Sequence, residues 1–369
     1  MYTVVHIMCM LIHMSLPFRP VPDSDLDDLR RRIDGTRAPN LPPDTGWTRG
    51  TASAALVGLL GEWRDGASWR RAEARILDLP WTETAGIRML HAPASEPGAP
   101  TVVLLHGWPD SVLRFERVLP LLAGVNVVVP ALPGFPFAPP VTSAGTTAVT
   151  MADAIAHAVA ALGYERWVVS AGDVGGDVAE HLAHRHPERV SALHLTNVSP
   201  LHAVFADRSG LGAEELDYLD VVARWSRAEG GYIAEQSSKP HTLAAGLADS
   251  PAGLAAWILE KLHGWAHEPF DRDTLIAWIG AYWFTNTIGS SFATYANLAP
   301  PVDFVDTPTV LSTFAHDTKP APLAFARRFV DVREHLQHDR GGHFAAWEVP
   351  ELYATDLRSA IELGDATAR

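Results

Sequence analysis

The stretch that decides the fold is Trp167–Gly176, WVVSAGDVGG. Its first residues, Trp167–Ser170, form an apolar run of strand length, and a helical pattern over Asp177–His186 follows. Small residues surround Asp173 at the apex of the intervening turn, as a turn that crowds the backbone requires. Such a turn exposes its apical side chain, so Asp173 is a candidate nucleophile. Ser170 stands three residues too early for that role, and the alternative is a structural turn whose aspartate is favoured by the helix dipole.

Continuous apolar runs on both sides of this stretch predict further strands. They are Thr101–Leu105, Val125–Val129, Ala192–Leu195, Thr309–Phe314 and Val330–Val332. Continuous runs are typical of strands that are covered on both faces, and helical stretches such as Met151–Leu162 alternate with them. We therefore expect an α/β fold with a mostly parallel sheet between two layers of helices.

The strand signal is absent from residues 199–300, where apolar spacings of three and four predict helices. The clearest are Ala213–Arg227, Ser250–Trp265 and Asp271–Phe284. Because the strand pattern resumes at Thr309, this stretch is expected to be a helical lid over the carboxyl edge of the sheet.

The predicted organisation has three parts. Residues 96–198 and 301–369 form the core, 199–300 form the lid, and 15–95 form an N-terminal segment that wraps around the core. Up to about Glu96 this segment is interpreted as helix and loop, with Asp23–Asp25 capping a charged helix over Leu26–Asp34.

Composition excludes several classes of protein. The 369 residues are 47% hydrophobic and 20% charged, which indicates a globular chain. The net charge of −14 argues against a nucleic-acid partner or an anionic membrane surface. A single cysteine, Cys9, rules out an intrachain disulfide, and we expect a cytoplasmic protein. The spacing of His181, His184 and His186 does not place all three on one helix face, so no metal site is expected. The oligomeric state, including a homodimer, is open.

The segment Met1–Met14 differs from the rest, since it holds four of the six methionines and no Lys or Arg. It lacks the length of a membrane span and the charge of a secretory signal, so no membrane anchor is clear. We expect it to be an extension upstream of the true start, with Met14 the better candidate; a weak anchor and an ordered strand are the alternatives.

Two further motifs fit the turn at Asp173. His106-Gly107-Trp108-Pro109 follows the first strong strand, where a loop can supply a backbone N–H to an oxyanion hole. The donors would be the amides of Trp108 and Val174. The third motif is the Gly-containing loop Asp339–Phe344, which carries His343 after the last predicted strand, as the order nucleophile, acid, histidine requires.

The acid that orients His343 has three candidates. Asp317 directly follows the strand Thr309–Phe314 and is preferred, because a carboxylate there can hold the imidazole tautomer. Asp331 and Glu334 lie within or just after the last predicted strand and are second choices.

Together these motifs resemble the microsomal-type epoxide hydrolases of the α/β-hydrolase superfamily. The motifs are PFRPVPDSDLDDLRRRI (17–33), WRDGASWRRAEARI (63–76), HGWP (106–109), AGDVGG (171–176), FAHD (314–317) and RGGHFAAWE (340–348). The resemblance covers about residues 17–360 and implies an α/β-hydrolase fold. It also implies two catalytic lid tyrosines, for which Tyr232 and Tyr295 match; Tyr282 competes and is expected in the core.

The chain departs from the family pattern at three positions, which leaves the substrate open. Val174 stands where Trp is usual, and Asp110 and Pro136 stand where Gly is usual. Trp108, Trp257 and Trp283 are candidates to line the substrate pocket.

The resemblance implies conversion of an epoxide to a vicinal diol with no cofactor, the partners being the epoxide and water. An aspartate is anionic at pH 7 and can attack carbon without a base. Asp173 would form an ester, which water activated by His343 would cleave while Asp317 orients the imidazole. Two alternatives remain at this point: a haloalkane dehalogenase, and a non-catalytic binding protein with an α/β-hydrolase fold.

Overall fold

The computed structural model describes residues 18–42, 46–141 and 145–366. The expectation for Met1–Met14 lies outside the described residues.

An eight-stranded sheet forms the centre of the protein, in the order β1-β2-β4-β3-β5-β6-β7-β8. The strands are β1 (Trp81–Thr84), β2 (Ile87–Ala92), β3 (Thr101–Leu105), β4 (Asn126–Pro130), β5 (Trp167–Ala171), β6 (Val190–Leu195), β7 (Val305–His316) and β8 (Val330–Gly342). From β4 to β8 every neighbouring pair is parallel, whereas β1 and β2 are antiparallel. All residues of β3 and β5 are buried, so both faces are covered and the predicted mostly parallel sheet is confirmed.

The prediction of helix and loop up to about Glu96 is wrong for residues 81–92, which form the β1–β2 hairpin. Ala85 and Gly86 connect the two strands with φ of 49° and 77°. A two-residue hairpin turn needs positive φ at both positions, and its usual sequence signal is Asn-Gly or Asp-Gly. Because Ala85 is a poor former of this conformation, the turn could not be recognised from the sequence.

Several boundaries also differ from the predicted ones. The helix after Asp173 begins at Val174 rather than Asp177. The last strand was predicted to end at Val332 but continues to Gly342. Its later residues are polar because β8 pairs only with β7 and lies at the sheet edge, where side chains face solvent. The first helix begins at Asp23, with no side-chain cap bond from the predicted cap.

Helices surround the sheet and form the lid. In the N-terminal segment and core they are α1 (Asp23–Asp34), α2 (Ser53–Trp63), α3 (Ala67–Leu77), α4 (Ala148–Ala161) and α5 (Val174–Arg185). In the lid they are α6 (Pro200–Phe205), α7 (Ala213–Glu229), α8 (Gly231–Ser238), α9 (Pro240–Asp249), α10 (Pro251–Trp265), α11 (Arg272–Thr285), α12 (Ile288–Ser291) and α13 (Ala293–Ala296). At the C-terminal end they are α14 (Leu323–Ala326), α15 (Ala345–Glu348) and α16 (Pro350–Ala366). Residues 199–300 therefore hold helices and no strand, as predicted.

The N-terminal segment packs against the lid. Helix α2 contacts α10, and α3 contacts α11. Arg32 pairs with Asp249 at 2.7 Å, and Arg71 pairs with Asp273 at 2.8 Å. The lid helices therefore contact the N-terminal segment as well as the core.

No single helix within the described ranges has the length and apolar character to cross a membrane. Helices α9 and α10 meet that criterion only when taken together, and they are bent by 115° relative to each other.

Candidate active site

Asp173 stands at the end of β5 in a strained backbone conformation. Its φ is 54° and its ψ is −136°, a region that residues other than glycine rarely adopt. Neighbouring glycines permit the turn, since a Cβ on Gly175 would lie 2.5 Å from the carbonyl oxygen of Leu105. The same close packing requires Gly107, where a Cβ would lie 2.5 Å from Oδ1 of Asp173. The turn therefore fixes the carboxylate at the carboxyl edge of the sheet.

Two backbone amides hold the Asp173 carboxylate. The N–H of Trp108 donates to Oδ1 at 2.8 Å, and the N–H of Val174 also donates to the carboxylate. Both amides were predicted as oxyanion donors. Their position means that a negative charge on Oδ1 is stabilised in the carboxylate and would be stabilised again in a tetrahedral intermediate.

The structure brings His343 and Asp317 to Asp173. Nδ1 of His343 lies 2.9 Å from Oδ1 of Asp317, and Nε2 lies 3.3 Å from Oδ2 of Asp173. Asp317 follows β7 directly, and His343 follows β8, two strands that end beside each other. The second-choice acids, Asp331 and Glu334, do not lie beside His343. Asp331 pairs instead with Arg333 at 2.8 Å, and Glu334 lies eight residues before the end of β8.

Burial and charge determine the protonation of these three groups. Burial alone would raise the pKa of the Asp173 carboxyl, but the His343 ring and the two amides lower it to about 2. Burial alone would lower the pKa of the His343 imidazole, but the carboxylates of Asp317 and Asp173 raise it to about 9. For Asp317 burial again opposes the charge of His343, and its pKa is lowered. At pH 7 an imidazolium therefore lies between two carboxylates.

Two lid tyrosines face this group. The ring of Tyr232 on α8 stacks on Trp108, with centroids 5.3 Å apart and planes at 7°. Tyr295 on α13 meets Trp108 edge-on at 5.8 Å, and the two tyrosine rings are 5.9 Å apart. Burial and the charge of Asp173 raise the pKa of the Tyr232 hydroxyl well above 10; burial, then Tyr232 and Asp173, do the same for Tyr295. Both phenols keep their protons and can donate them.

Two family models match the sequence. Residues 17–115 match the family model described as epoxide hydrolase N terminus, and residues 100–226 match the model of the alpha/beta hydrolase fold. A protein of Stigmatella aurantiaca (strain DW4/3-1) whose name assigns it to the epoxide hydrolases is 36% identical over 375 residues, which cover 94% of this chain and 84% of that protein. The chain belongs to the epoxide hydrolase family.

Two further relatives agree with this assignment. Epoxide hydrolase 1 of Sus scrofa is 29% identical over 402 residues, covering 94% of this epoxide hydrolase and 88% of the pig protein. The solved structure of the Aspergillus niger epoxide hydrolase superimposes with a TM-score of 0.83 at 27% identity, covering 93% of this chain and 94% of that one. The family resemblance, the α/β-hydrolase fold and the hydrolase class predicted from the sequence are thereby confirmed, which disfavours the dehalogenase and the non-catalytic alternatives.

The remaining aromatic candidates are Tyr282, Trp283 and Trp257, and each has different contacts. Tyr282 is buried on α11 and its hydroxyl donates to the carbonyl oxygen of Asp110 at 3.0 Å, so it belongs to the core of this epoxide hydrolase as expected. Trp283 contacts Trp63 and Arg32 of the N-terminal segment, with centroid distances of 6.3 and 5.9 Å. Its place in the substrate pocket stays a prediction. Trp257 lies on α10 two helical turns before Trp265 and donates to Gln236 of α8 at 3.3 Å, so its place in the pocket also stays a prediction.

Sequence reasoning missed Trp265, the last residue of α10. Its ring centroid lies 5.3 Å from Tyr232, 5.2 Å from His343 and 6.2 Å from Trp108. Its carbonyl oxygen accepts the N–H of His343 at 3.0 Å. The available signal was the eight-residue spacing of Trp257 and Trp265, which is two helical turns and places both rings on one face of the helix.

Glu348 was also missed, and it joins the lid to the histidine loop. Its carboxylate accepts four backbone N–H groups, those of His267, Glu268, Gly342 and Phe344, at 2.7 to 3.1 Å. The first two lie just beyond α10, and the last two flank His343. One buried carboxylate therefore fixes the position of the histidine relative to the lid.

The unusual Asp110 is held by a buried ion pair with Arg114. Asp110 also accepts the N–H of Gly107 at 2.7 Å, and Nη2 of Arg114 donates to the carbonyl oxygen of His343 at 2.5 Å. Asp110 thus does not act as a free carboxylate beside the oxyanion loop. It supports that loop and, through Arg114, the histidine.

Proposed function

We propose that this enzyme opens an apolar epoxide through an ester with Asp173 and then hydrolyses that ester with water activated by His343. One observation carries the proposal: the residue whose N–H holds Asp173, Trp108, also packs against both lid tyrosines. An anionic nucleophile and two protonated phenols therefore face the same small space, which is what the two ends of an opening epoxide require.

The first step is alkylation of the carboxylate. Because Oδ1 of Asp173 is held by the Trp108 amide, Oδ2 attacks an epoxide carbon and the C–O bond of that carbon breaks. The ring oxygen becomes an alkoxide and takes a proton from the hydrogen-bonded phenols of Tyr232 and Tyr295. Aromatic rings surround this space, so the substrate class that fits is an epoxide with an apolar alkyl or aryl substituent.

The second step depends on a change in the charge beside His343. In the free enzyme Asp173 helps to keep the imidazole protonated. Once Asp173 is a neutral ester this charge is gone, so the pKa of His343 falls and the ring releases a proton. One proton was consumed by the alkoxide and one is released here, so the phenols are restored with no net change.

Neutral His343 can then act as a general base. It takes a proton from water, the hydroxide attacks the ester carbonyl carbon, and Oδ1 becomes an oxyanion between the amides of Trp108 and Val174. The intermediate collapses, the C–O bond to the substrate breaks, and the diol oxygen takes the proton from His343. Asp173 is left as a carboxylic acid and passes its proton to His343, which restores the carboxylate and the imidazolium of the free enzyme. Asp317 keeps the ring oriented throughout.

The test is diol formation from styrene oxide by the Tyr232→Phe and Tyr295→Phe variants, singly and together. Each phenol supplies one hydrogen bond that strengthens in the transition state, so each loss should slow alkylation by about 10- to 10³-fold and the double change should nearly abolish it. Tyr164→Phe is a matched control, because the Tyr164 hydroxyl forms its hydrogen bond with His91 of β2, at 2.8 Å.

The result that would refute the proposal is a double variant that opens the epoxide at the parental rate. A parent enzyme that reacts with an alkyl halide of similar size but not with epoxides would also refute it, since halide leaves without a proton.

A further inference from the structure

Helices α8 and α10 meet behind the Tyr232 ring. Helix α10 carries Trp257, Lys261 and Trp265 at intervals of four residues, so the three side chains share one face. Helix α8 contributes Tyr232 and Gln236, which are also four residues apart and therefore share one face. Nε1 of Trp257 donates to Oε1 of Gln236 at 3.3 Å, and the ring of Trp265 lies 5.3 Å from that of Tyr232. Lys261 is therefore the central residue of this contact.

The ammonium of Lys261 lies among aromatic rings. Nζ is 4.7 Å from the ring centroid of Tyr232, 5.9 Å from that of Trp265 and 6.0 Å from that of Trp257. The residue is only 4% exposed. Its ion-pair partner is Glu260, at 2.8 Å, whose side chain is 27% exposed. Of the two charges, Lys261 is the one that lies against the Tyr232 ring.

A buried ammonium is costly at a helix contact that an apolar side chain could fill. Trp257 and Trp265 already contact α8 on either side of it. The one feature that an apolar residue could not supply is a positive charge over the ring of Tyr232.

Resting on the proposed function, we infer that Lys261 is a positioning residue that strengthens the hydrogen bond from Tyr232 to the opening epoxide oxygen. As the hydroxyl donates to the alkoxide, negative charge moves onto the phenol oxygen and its ring. A cation over the ring face is then attracted more strongly than in the ground state, so the interaction favours the transition state.

The two tyrosines are not equivalent in this respect. Among the cation–ring contacts found in the described residues, one involves Tyr232 and none involves Tyr295. Burial and the carboxylates of Asp173 and Glu260 raise the pKa of Tyr232, which makes its hydroxyl a weaker acid. The positive charge of Lys261 over the Tyr232 ring acts in the opposite direction and makes this hydroxyl a better donor.

The experiment is a double-mutant cycle on the single-turnover alkylation rate with 1,2-epoxybutane, followed by intact-protein mass. Lys261→Met removes the charge and keeps an unbranched side chain, while Lys239→Met removes an exposed lid charge as the matched control. We expect Lys261→Met to slow alkylation about tenfold, Lys239→Met to change it less than twofold, and Lys261→Arg to retain most of the parental rate.

The cycle separates action through the hydroxyl from a packing role. In the Tyr232→Phe background Lys261→Met should cost less than twofold, and in the Tyr295→Phe background it should cost the full tenfold. Equal losses in both backgrounds, or none in the parent enzyme, would overturn the inference. If Tyr232→Phe itself leaves alkylation unchanged, the proposed function fails; if only the coupling is missing, Lys261 alone loses its role.

A second readout uses the basicity of the alkoxide. Epifluorohydrin is close in size to 1,2-epoxybutane but forms a less basic alkoxide, which depends less on a strong donor. The deficit of Lys261→Met should therefore be several times smaller with epifluorohydrin. A packing defect would reduce both rates alike, and that result would contradict the inference.

Discussion

Asp317→Asn should separate the two steps of the reaction. Oδ1 of Asp317 lies 2.9 Å from Nδ1 of His343, so their charge centres are about 4 Å apart. At an effective dielectric constant of about 20, a pair of unit charges at that distance interacts by about 4 kcal/mol. One pKa unit corresponds to about 1.36 kcal/mol, so neutralising Asp317 should reduce the proton affinity of His343 by about a thousandfold.

The consequence falls on hydrolysis. The general base becomes much weaker and the asparagine amide can hold the wrong tautomer, so we expect ester hydrolysis to slow by about 10²- to 10⁴-fold. Alkylation should slow less than tenfold, since the anionic Asp173 attacks without a base. The ester should therefore accumulate, and His343→Gln should show the same accumulation more strongly.

The assay is rapid mixing of excess styrene oxide with enzyme, quenching, and intact-protein mass against time. Asp331→Asn is the matched control, because Asp331 pairs with Arg333 instead of His343 and its loss should leave both rates unchanged. Equal losses in the two steps after Asp317→Asn, or a variant that is inactive and never becomes alkylated, would refute the assignment of Asp317 and His343 to the second step.

Three further predictions follow from single side chains. In a single turnover with excess enzyme in ¹⁸O-water, the label should enter the Asp173 carboxylate, because the diol takes its oxygen from the aspartate; label appearing first in the diol would mean direct attack by water. Burial, together with the carboxylates of Glu180 and Asp173, raises the pKa of Asp177 to about 8, so the folded state binds a proton that the unfolded state releases above pH 4. The enzyme should lose stability as pH rises from about 4 to 8, and Asp177→Asn should flatten the dependence of Tm on pH; parallel profiles would contradict this. Glu348→Gln replaces one of the two accepting carboxylate oxygens by an NH2 donor and removes the charge, so it should lower the free energy of unfolding by about 2–4 kcal/mol in urea titrations and slow hydrolysis more than alkylation; an unchanged midpoint would show that the carboxylate does not hold the loop.

Local patterns were sufficient wherever neighbouring residues decide the outcome. The apolar run Trp167–Ser170 and the small residues around Asp173 predicted a strand, a tight turn and a helix, because burial on both faces and steric crowding act over a few residues. The hairpin at Ala85 was missed because Ala85 carries no local turn signal. The hairpin is stabilised instead by a distant contact, the pairing of β2 with β4.

The sequence by itself determined the fold class and the tight turn that carries Asp173 at its apex. Only the tertiary structure decided which groups share a charge environment. Asp317, His343 and Asp173 come from three separate loops, and their protonation follows from distances of 2.9 and 3.3 Å that no spacing encodes. The place of Lys261 over Tyr232 was decided in the same way, because electrostatic interactions depend on separation in space and on exclusion of water, which exist only once the lid has packed on the sheet.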